Sequence, residues 1–199
     1  MIEIPNNYFS NLSSYEEFVI KTNLLGYDVS DKEVLSQFNK VENYYWFVVN
    51  GHLCFLDDKG NKTENVILKG SFNCSNNQLT SLKGCPDKIG KGFYCSENKL
   101  TSLEGCPEKI GGDFICSYNQ LTSLKGCPDK IGKGFYCYDN KLTSLEGCPK
   151  EVGGDFYCSI NQLTSLEGCP EKVGRNFNCS NNSRKLSKPN NLKCKNFYN

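Results

Sequence analysis

The stretch GFYCYDNKLTSLEGCP, residues 134–149, holds the unit from which most of this chain is built. Its two cysteines belong to two series that both repeat every 21 residues, and each cysteine of the second series precedes a proline. The first series is Cys74, Cys95, Cys116, Cys137, Cys158 and Cys179, and the second is Cys85, Cys106, Cys127, Cys148 and Cys169. A fixed period of this length predicts a solenoid, in which stacked copies of one small unit bury their apolar side chains against each other.

Apolar residues at fixed places in the unit predict the core of the stack. Side chains of a strand alternate between its two faces, so we expect Phe135 and Cys137 to point inward and Tyr136 to point outward. Columns of leucine and of isoleucine or valine recur at the same period. The expected core columns begin at Phe72, Cys74, Leu79, Leu82 and Leu68 and end at Phe177, Cys179, Leu163, Leu166 and Val173.

The unit F-x-C-x-x-N-x-L-T-S-L-x-G-C-P resembles the leucine-rich repeats, specifically the short Cys- and Asn-rich 21-residue repeats that phages often encode. The resemblance covers about residues 68–182, although Phe and Cys stand where the family has Leu. It implies an α/β solenoid whose short parallel strands line a concave face. It also implies an asparagine ladder through Asn140 and its equivalents, whose buried amides would bond to the backbone of their own coil and the next.

The two ends of the chain lose the repeat, which predicts three parts. Residues 1–66 are interpreted as an α+β cap or a small binding module, residues 67–182 as the solenoid, and residues 183–199 as a C-terminal cap. The C-terminal part places Arg184 where the repeat has leucine.

Local signals predict the elements of the N-terminal part. Ser14 and Glu17 have the spacing of a capping box that would start a helix, and Gly26 would stop it. A second capping box, Ser30 with Glu33, predicts another helix. The sequence NYYWFVVNGHLCFLD predicts a β-hairpin because Asn-Gly is a strong turn signal, and a third strand is expected between it and the solenoid.

Composition excludes several classes of function. The 199 residues carry a net charge of +1, so neither nucleic acid nor a membrane surface is expected as a partner. We see no secretory signal in the first residues and expect a cytoplasmic protein, in the host cell if the protein is viral. The thirteen cysteines are odd in number and follow the repeat, which indicates reduced, buried thiols.

No chemistry-bearing motif stands out. His52 is the only histidine, no C-x₂-C pair suggests zinc, and the glycines of IGKGF precede strands rather than a phosphate-binding helix. We therefore expect no catalytic residues, no metal site and no cofactor.

The outward positions of the strands are the candidate site. Between Phe and Cys, the central coils carry aromatic or apolar residues where the end coils carry Asn73 and Asn178, and a contiguous exposed patch of this kind usually marks an interface. The residues predicted to bind a partner are Tyr94, Ile115, Tyr118, Tyr136, Tyr138, Tyr157 and Ile160, with the acidic Glu97, Asp113, Asp139 and Asp155. The plainer alternative is that Tyr and Ile simply favour strands and shield each other.

These observations favour a protein-binding module without catalysis. The phage-like resemblance implies that the partner is a host protein that the module binds and neutralises in counter-defence against host immunity. Two alternatives stay open: a virion or structural component, and an enzyme acting through the N-terminal module with His52 or Cys54. The oligomeric state does not follow from the sequence.

Overall fold

The structure is a computed structural model and describes residues 15–24, 38–49 and 51–199. Its first elements are α1 (Tyr15–Leu24), β1 (Asn39–Val41), β2 (Tyr44–Val49), β3 (His52–Leu56) and β4 (Lys62–Thr63). The strands that follow are β5 (Ile67–Leu68), β6 (Phe72–Asn73), β7 (Lys88–Ile89), β8 (Phe93–Tyr94), β9 (Lys109–Ile110), β10 (Phe114–Ile115), β11 (Lys130–Ile131), β12 (Phe135–Tyr136), β13 (Glu151–Val152), β14 (Phe156–Tyr157), β15 (Lys172–Val173), β16 (Asn176–Asn178) and β17 (Asn196–Tyr198).

The strands from β5 onward form two parallel sheets that run along the stack. The odd-numbered strands β5 to β15 make one sheet, and the even-numbered strands β6 to β16 make the other, which β17 extends. Each strand pairs with its equivalent in the next coil, so that Phe114 lies opposite Phe135 and Ile110 opposite Ile131. The chain is a β-solenoid of about six coils, and the prediction of a 21-residue stacked solenoid is confirmed.

The expected α/β character of the solenoid is wrong. Residues 67–199, all of which are described, contain no helix, because the return path of each coil is a second strand. Each coil contains two tight turns, and the segments between them are too short to form a helix. At one of them Gly126 has a φ of +93°, and a Cβ there would lie 2.5 Å from the Leu103 carbonyl oxygen, so only glycine fits.

The predicted core columns are buried as expected. The rings of the phenylalanine column lie 4.9 to 6.1 Å apart between successive coils. The first cysteine series and the leucines beside it are almost fully shielded from solvent. One coil is too thin to bury these groups, so the stack acquires its core only by repetition.

The asparagine ladder connects each coil to the preceding one, not to the next as expected. The side-chain amide of Asn98 donates to the carbonyl oxygens of Cys95 in its own coil and Cys74 in the coil before. Its Oδ1 accepts the N–H groups of Asn77 and Leu79, at 3.0 and 2.9 Å. The direction reverses because the open N–H groups belong to the chain leaving the preceding strand.

The C-terminal residues continue the stack with a changed spacing. Leu186 is buried two residues after Arg184, which occupies the expected leucine position and is exposed. Strand β17 pairs with β16, and the Phe197 ring stacks 5.5 Å from Phe177, 20 residues later rather than 21. A shorter loop therefore preserves the phenylalanine column where the sequence pattern is lost.

The N-terminal hairpin is confirmed and covers the first coil. Strands β2 and β3 pair antiparallel with Val49 opposite His52, and β4 adds the expected third strand. Trp46 and Phe55 pack on Phe72, at ring distances of 5.3 and 5.4 Å, so the hairpin closes the end of the phenylalanine column.

Strand β1 joins this sheet beside β2, and the sequence had not suggested it. Helix α1 lies where the first capping box predicted a helix. The predicted capping residue Ser14, the stop at Gly26 and the second box, Ser30 with Glu33, lie outside the described residues. No helix in the described part of the chain has the length and apolarity needed to cross a membrane. The division of the chain at residues 66 and 182 stays a prediction.

All thirteen cysteines are free in the structure. Burial raises the pKa of the interior thiols, well above the ordinary value at Cys116 and to about 11 at Cys179. A protonated, buried thiol behaves as a small apolar side chain and reacts slowly.

We expect the interior cysteines of the native protein to resist thiol reagents until unfolding. Replacing Cys116 by serine should lower the unfolding free energy by about 1–3 kcal/mol, because the hydroxyl is more costly to bury than the thiol. Urea unfolding measures the unfolding free energy of this variant and of Cys169→Ser, the matched half-exposed control. The control should lose less unfolding free energy than Cys116→Ser. Rapid labelling of most thiols without denaturant would show that the columns are open.

Candidate functional site

The predicted site residues lie on the outer surface of the sheet that contains β8, β10, β12 and β14. Tyr94, Ile115, Tyr136 and Tyr157 occupy equivalent positions in four successive strands and pair in register. Together with Tyr118, Tyr138 and Ile160 from the turns that follow these strands, they form the surface called here the aromatic face. All seven are half-buried or exposed, so none belongs to the core.

Glycines of the same coils make room for two of the tyrosine rings. A Cβ on Gly134 would lie 2.5 Å from the Tyr136 ring, and one on Gly92 would lie 2.3 Å from the Tyr94 hydroxyl oxygen. The hydroxyl end of each ring therefore lies against the backbone two residues earlier. In both coils the glycine precedes Phe-Tyr in the sequence. This G-F-Y pattern could have indicated the position of the ring, which the repeat period alone does not reveal.

Tyr118 and Ile160 stand in a backbone conformation that disfavours them. The equivalent residue of every coil has a left-handed φ, which is +55° at Tyr118 and +53° at Ile160. The end coils use Asn76 and Asn181 here, and Asn tolerates this conformation far better than a β-branched or aromatic residue. The two side chains are 49% and 48% exposed, so burial compensates for the strain only in part.

Tyr138 occupies a position that is serine in the other coils. Five of the six equivalent positions are serine, and the Ser117 hydroxyl donates to the Tyr136 carbonyl oxygen at 3.1 Å. Tyr138 instead packs edge-on against Tyr118, with the ring centroids 5.3 Å apart and an interplanar angle of 83°. The exception therefore extends the aromatic face across the turn.

A shallow groove of about 460 Å³ opens at the centre of the aromatic face. Its lining consists of Ile115, Tyr136, Tyr138, Tyr157 and Ser159, and this set is called here the tyrosine groove. The Tyr136 and Tyr157 rings meet at 81° with their centroids 5.4 Å apart. Four of the predicted site residues thus converge on one concavity, and Ser159 is the one that sequence reasoning missed.

Two of the predicted acidic residues have structural bonds. Asp113 Oδ1 accepts the Gly134 N–H at 2.8 Å, and Asp155 Oδ1 accepts the Asn176 N–H at 3.0 Å, so both connect successive coils. Glu97 is exposed and Asp139 half-buried, both in the left-handed column. The structure brings the four carboxylates to the two sides of the aromatic column, and their part in binding stays a prediction.

These carboxylates act on the tyrosine hydroxyls of the aromatic face. Burial raises the pKa of the Tyr136 hydroxyl, and the charges of Asp155 and Asp113 raise it further, while Arg175 opposes them. The neighbouring Tyr138 raises the pKa of the exposed Tyr118 hydroxyl, with smaller contributions from Asp139 and Glu97. Negative charge around these hydroxyls disfavours a phenolate and favours a cation.

A second, larger cleft of about 610 Å³ lies between β3 and the first two coils. His52, Cys54, Cys85 and Cys106 are among its lining residues, and the buried His52 Nδ1 has no hydrogen-bond partner within the described residues. Burial raises the pKa of the Cys54 thiol to about 11, although the charge of Lys62 lowers it somewhat. Because a catalytic cysteine needs a lowered pKa, this environment gives no support to Cys54 as a nucleophile.

Residues 15–24, 38–49 and 51–199 contain no group of three or more His, Cys, Asp or Glu side chains that could hold a metal ion.

Comparisons with protein-family models, with curated proteins and with solved structures found nothing that matches this chain.

We expect Ile160→Asn to raise the unfolding free energy by about 1 kcal/mol, because asparagine relieves the left-handed strain at an exposed site. Tyr118→Asn should gain less, since it also removes the ring contact with Tyr138. Urea unfolding measures both, with Thr143→Asn as an exposed control at an ordinary φ. A clear loss of stability in Ile160→Asn would mean that the isoleucine has a structural role.

Proposed function

We propose that this protein is a non-enzymatic binding module that docks a partner protein on the aromatic face. The observation that carries the proposal is the pair Tyr118 and Ile160, exposed in the left-handed column of central coils where the end coils have asparagine. Residues in an unfavourable conformation persist only where the surrounding structure holds them, and such strain concentrates at functional sites.

The chemistry of the surface suits a protein partner. Tyrosine offers a large contact area, few rotatable bonds and one hydroxyl, and it is enriched at binding hot spots. Four coils at the strand spacing extend over roughly 15–20 Å, which is enough for the centre of an interface. The mixture of carboxylates with Lys91, Lys133 and Arg175 along the edge favours a protein over a phosphate backbone.

The preference of Tyr and Ile for strands explains only part of the aromatic face. It accounts for Tyr94, Ile115, Tyr136 and Tyr157, which are strand residues. It gives no reason for Tyr118 and Ile160, which lie in turns. The simpler alternative therefore leaves unexplained the aromatic and the β-branched residue in the left-handed column.

The origin and the partner's identity are proposed from the resemblance alone. The F-x-C-x-x-N-x-L pattern resembles leucine-rich repeats of phages, from which we infer a host protein as target, neutralised in the host cytoplasm. A virion component is the alternative that purified particles would reveal. An enzyme using the cleft beside His52 and Cys54 would lose turnover on His52→Ala while partner binding stays intact.

We expect Tyr136→Asn with Tyr157→Asn to weaken partner binding at least about 30-fold, since two anchors of about 1 kcal/mol or more would be lost. Asparagine is the end-coil residue at this position, so folding should be preserved. Proteins are first captured from host lysate on immobilised wild type and on the variant in parallel, and they are quantified by mass spectrometry. For any protein whose capture depends on the tyrosines, the affinity is then measured by interferometry.

The matched control is Lys88→Gln with Lys109→Gln, two exposed changes on the other sheet, which should leave capture and affinity unchanged. If the same proteins bind the tyrosine variant as tightly as wild type, the aromatic face is not the docking surface. Loss of binding on changes confined to residues 1–66 would then assign the site to the N-terminal part.

A further inference from the structure

The tyrosine groove has walls set at right angles. Tyr136 meets Tyr157 at 81° within the groove, and Tyr138 is bordered at 83° by Tyr118, which lies outside the groove lining. An aromatic ring is electron-rich on its faces and electron-poor at its edge. A ring face that such a pair leaves open to the groove attracts a cation, and a planar cation can stack on it.

Carboxylates lie on both sides of this groove. Asp113 and Asp155 precede the phenylalanines of their strands on one side, and Asp139 follows Tyr138 on the other. Asp113 and Asp155 each bond a backbone N–H through Oδ1 and so are held in position. Arg175 is the basic residue that acts on Tyr136, and its effect on the pKa of that hydroxyl is smaller than that of either aspartate.

The size and openness of the groove restrict the occupant. A volume of about 460 Å³ bounded by five side chains has room for the head of a long side chain such as a guanidinium. The aspartates would repel an anionic group. A purely apolar group would form no favourable interaction with their charges. A cation with a flat, weakly hydrated head satisfies both the ring faces and the carboxylates.

We propose that the tyrosine groove takes an arginine side chain of the partner protein, with the guanidinium against Tyr136 and Tyr157 and within reach of the carboxylates. This inference rests on the proposed function, because it describes what the docked partner presents. Arginine fits better than lysine, since its guanidinium is planar, stacks on aromatic rings and forms forked bonds with carboxylates.

The test uses N-acetyl-arginine amide as the probe and N-acetyl-citrulline amide as its uncharged isostere. Protein with ¹³C-labelled tyrosine rings is titrated by NMR at low salt, and the signals of Tyr136, Tyr138 and Tyr157 are followed. We expect the arginine probe to move these signals with a dissociation constant on the order of millimolar, and the citrulline probe to bind at least about fivefold more weakly.

Two variants test the groove without endangering the fold. Tyr138→Ser introduces the residue found at the five equivalent positions, and Asp139→Asn removes one charge while keeping a residue that tolerates the left-handed φ. Each variant should bind the arginine probe at least about threefold more weakly than wild type, and its melting temperature should stay within a few degrees of the wild-type value. Lys109→Gln, on the other sheet, should change neither.

Three results would overturn the inference. They are equal binding of the citrulline probe, an absence of any shift in the three tyrosines, and tighter binding of tetramethylammonium than of the arginine probe. The last result would assign the groove to a quaternary ammonium ligand. None of them affects capture of a partner that depends on Tyr136 and Tyr157, so failure here is distinguishable from failure of the proposed function.

Discussion

One side-chain amide per coil connects this solenoid. The amide of Asn98 donates to carbonyl oxygens of two successive coils, while its oxygen accepts two N–H groups from the earlier coil. Asn119, Asn140 and Asn161 repeat both donations, each accepts one N–H group from the earlier coil, and all three are nearly buried. Because a buried amide must be satisfied, each asparagine fixes the register of its neighbour, and the phenylalanine, cysteine and leucine columns align as a consequence.

Fixing the interior in this way leaves the outer surface free to vary. The amide ladder and the core columns determine where each strand lies, and the strand residues between Phe and Cys point away from both. The same register that stacks Phe135 on Phe156 also places Tyr136 beside Tyr157. A regular interior thus produces a regular exterior, on which single substitutions such as Ser to Tyr at position 138 build a surface without altering the fold.

The sequence predicted what depends on period and alternation, and it missed what depends on backbone angles. The core columns and the outward tyrosines follow from spacing, and the hairpin around Gly51 follows from its Asn-Gly turn signal. The α/β solenoid that the resemblance implied was wrong, because the Gly-Cys-Pro turns of each coil leave no room for a helix. The left-handed column was missed, although Asn76 and Asn181 hinted at it, since no propensity anticipates Ile160 at a φ of +53°. The groove needed ring orientations, which no sequence pattern contains.

The most direct test of this account compares a change inside the stack with one on its surface. Native-state hydrogen exchange should be measured on Asn119→Ala and on Tyr138→Ser. The Leu100 N–H donates to Asn119 Oδ1 at 3.1 Å. We predict that Asn119→Ala removes this acceptor, so that the Leu100 N–H exchanges faster, and lowers the unfolding free energy by at least about 2 kcal/mol. Tyr138→Ser should change it by less than about 1 kcal/mol. An unchanged Leu100 amide in Asn119→Ala, or a larger loss from Tyr138→Ser, would contradict the separation of a structural interior from a binding exterior.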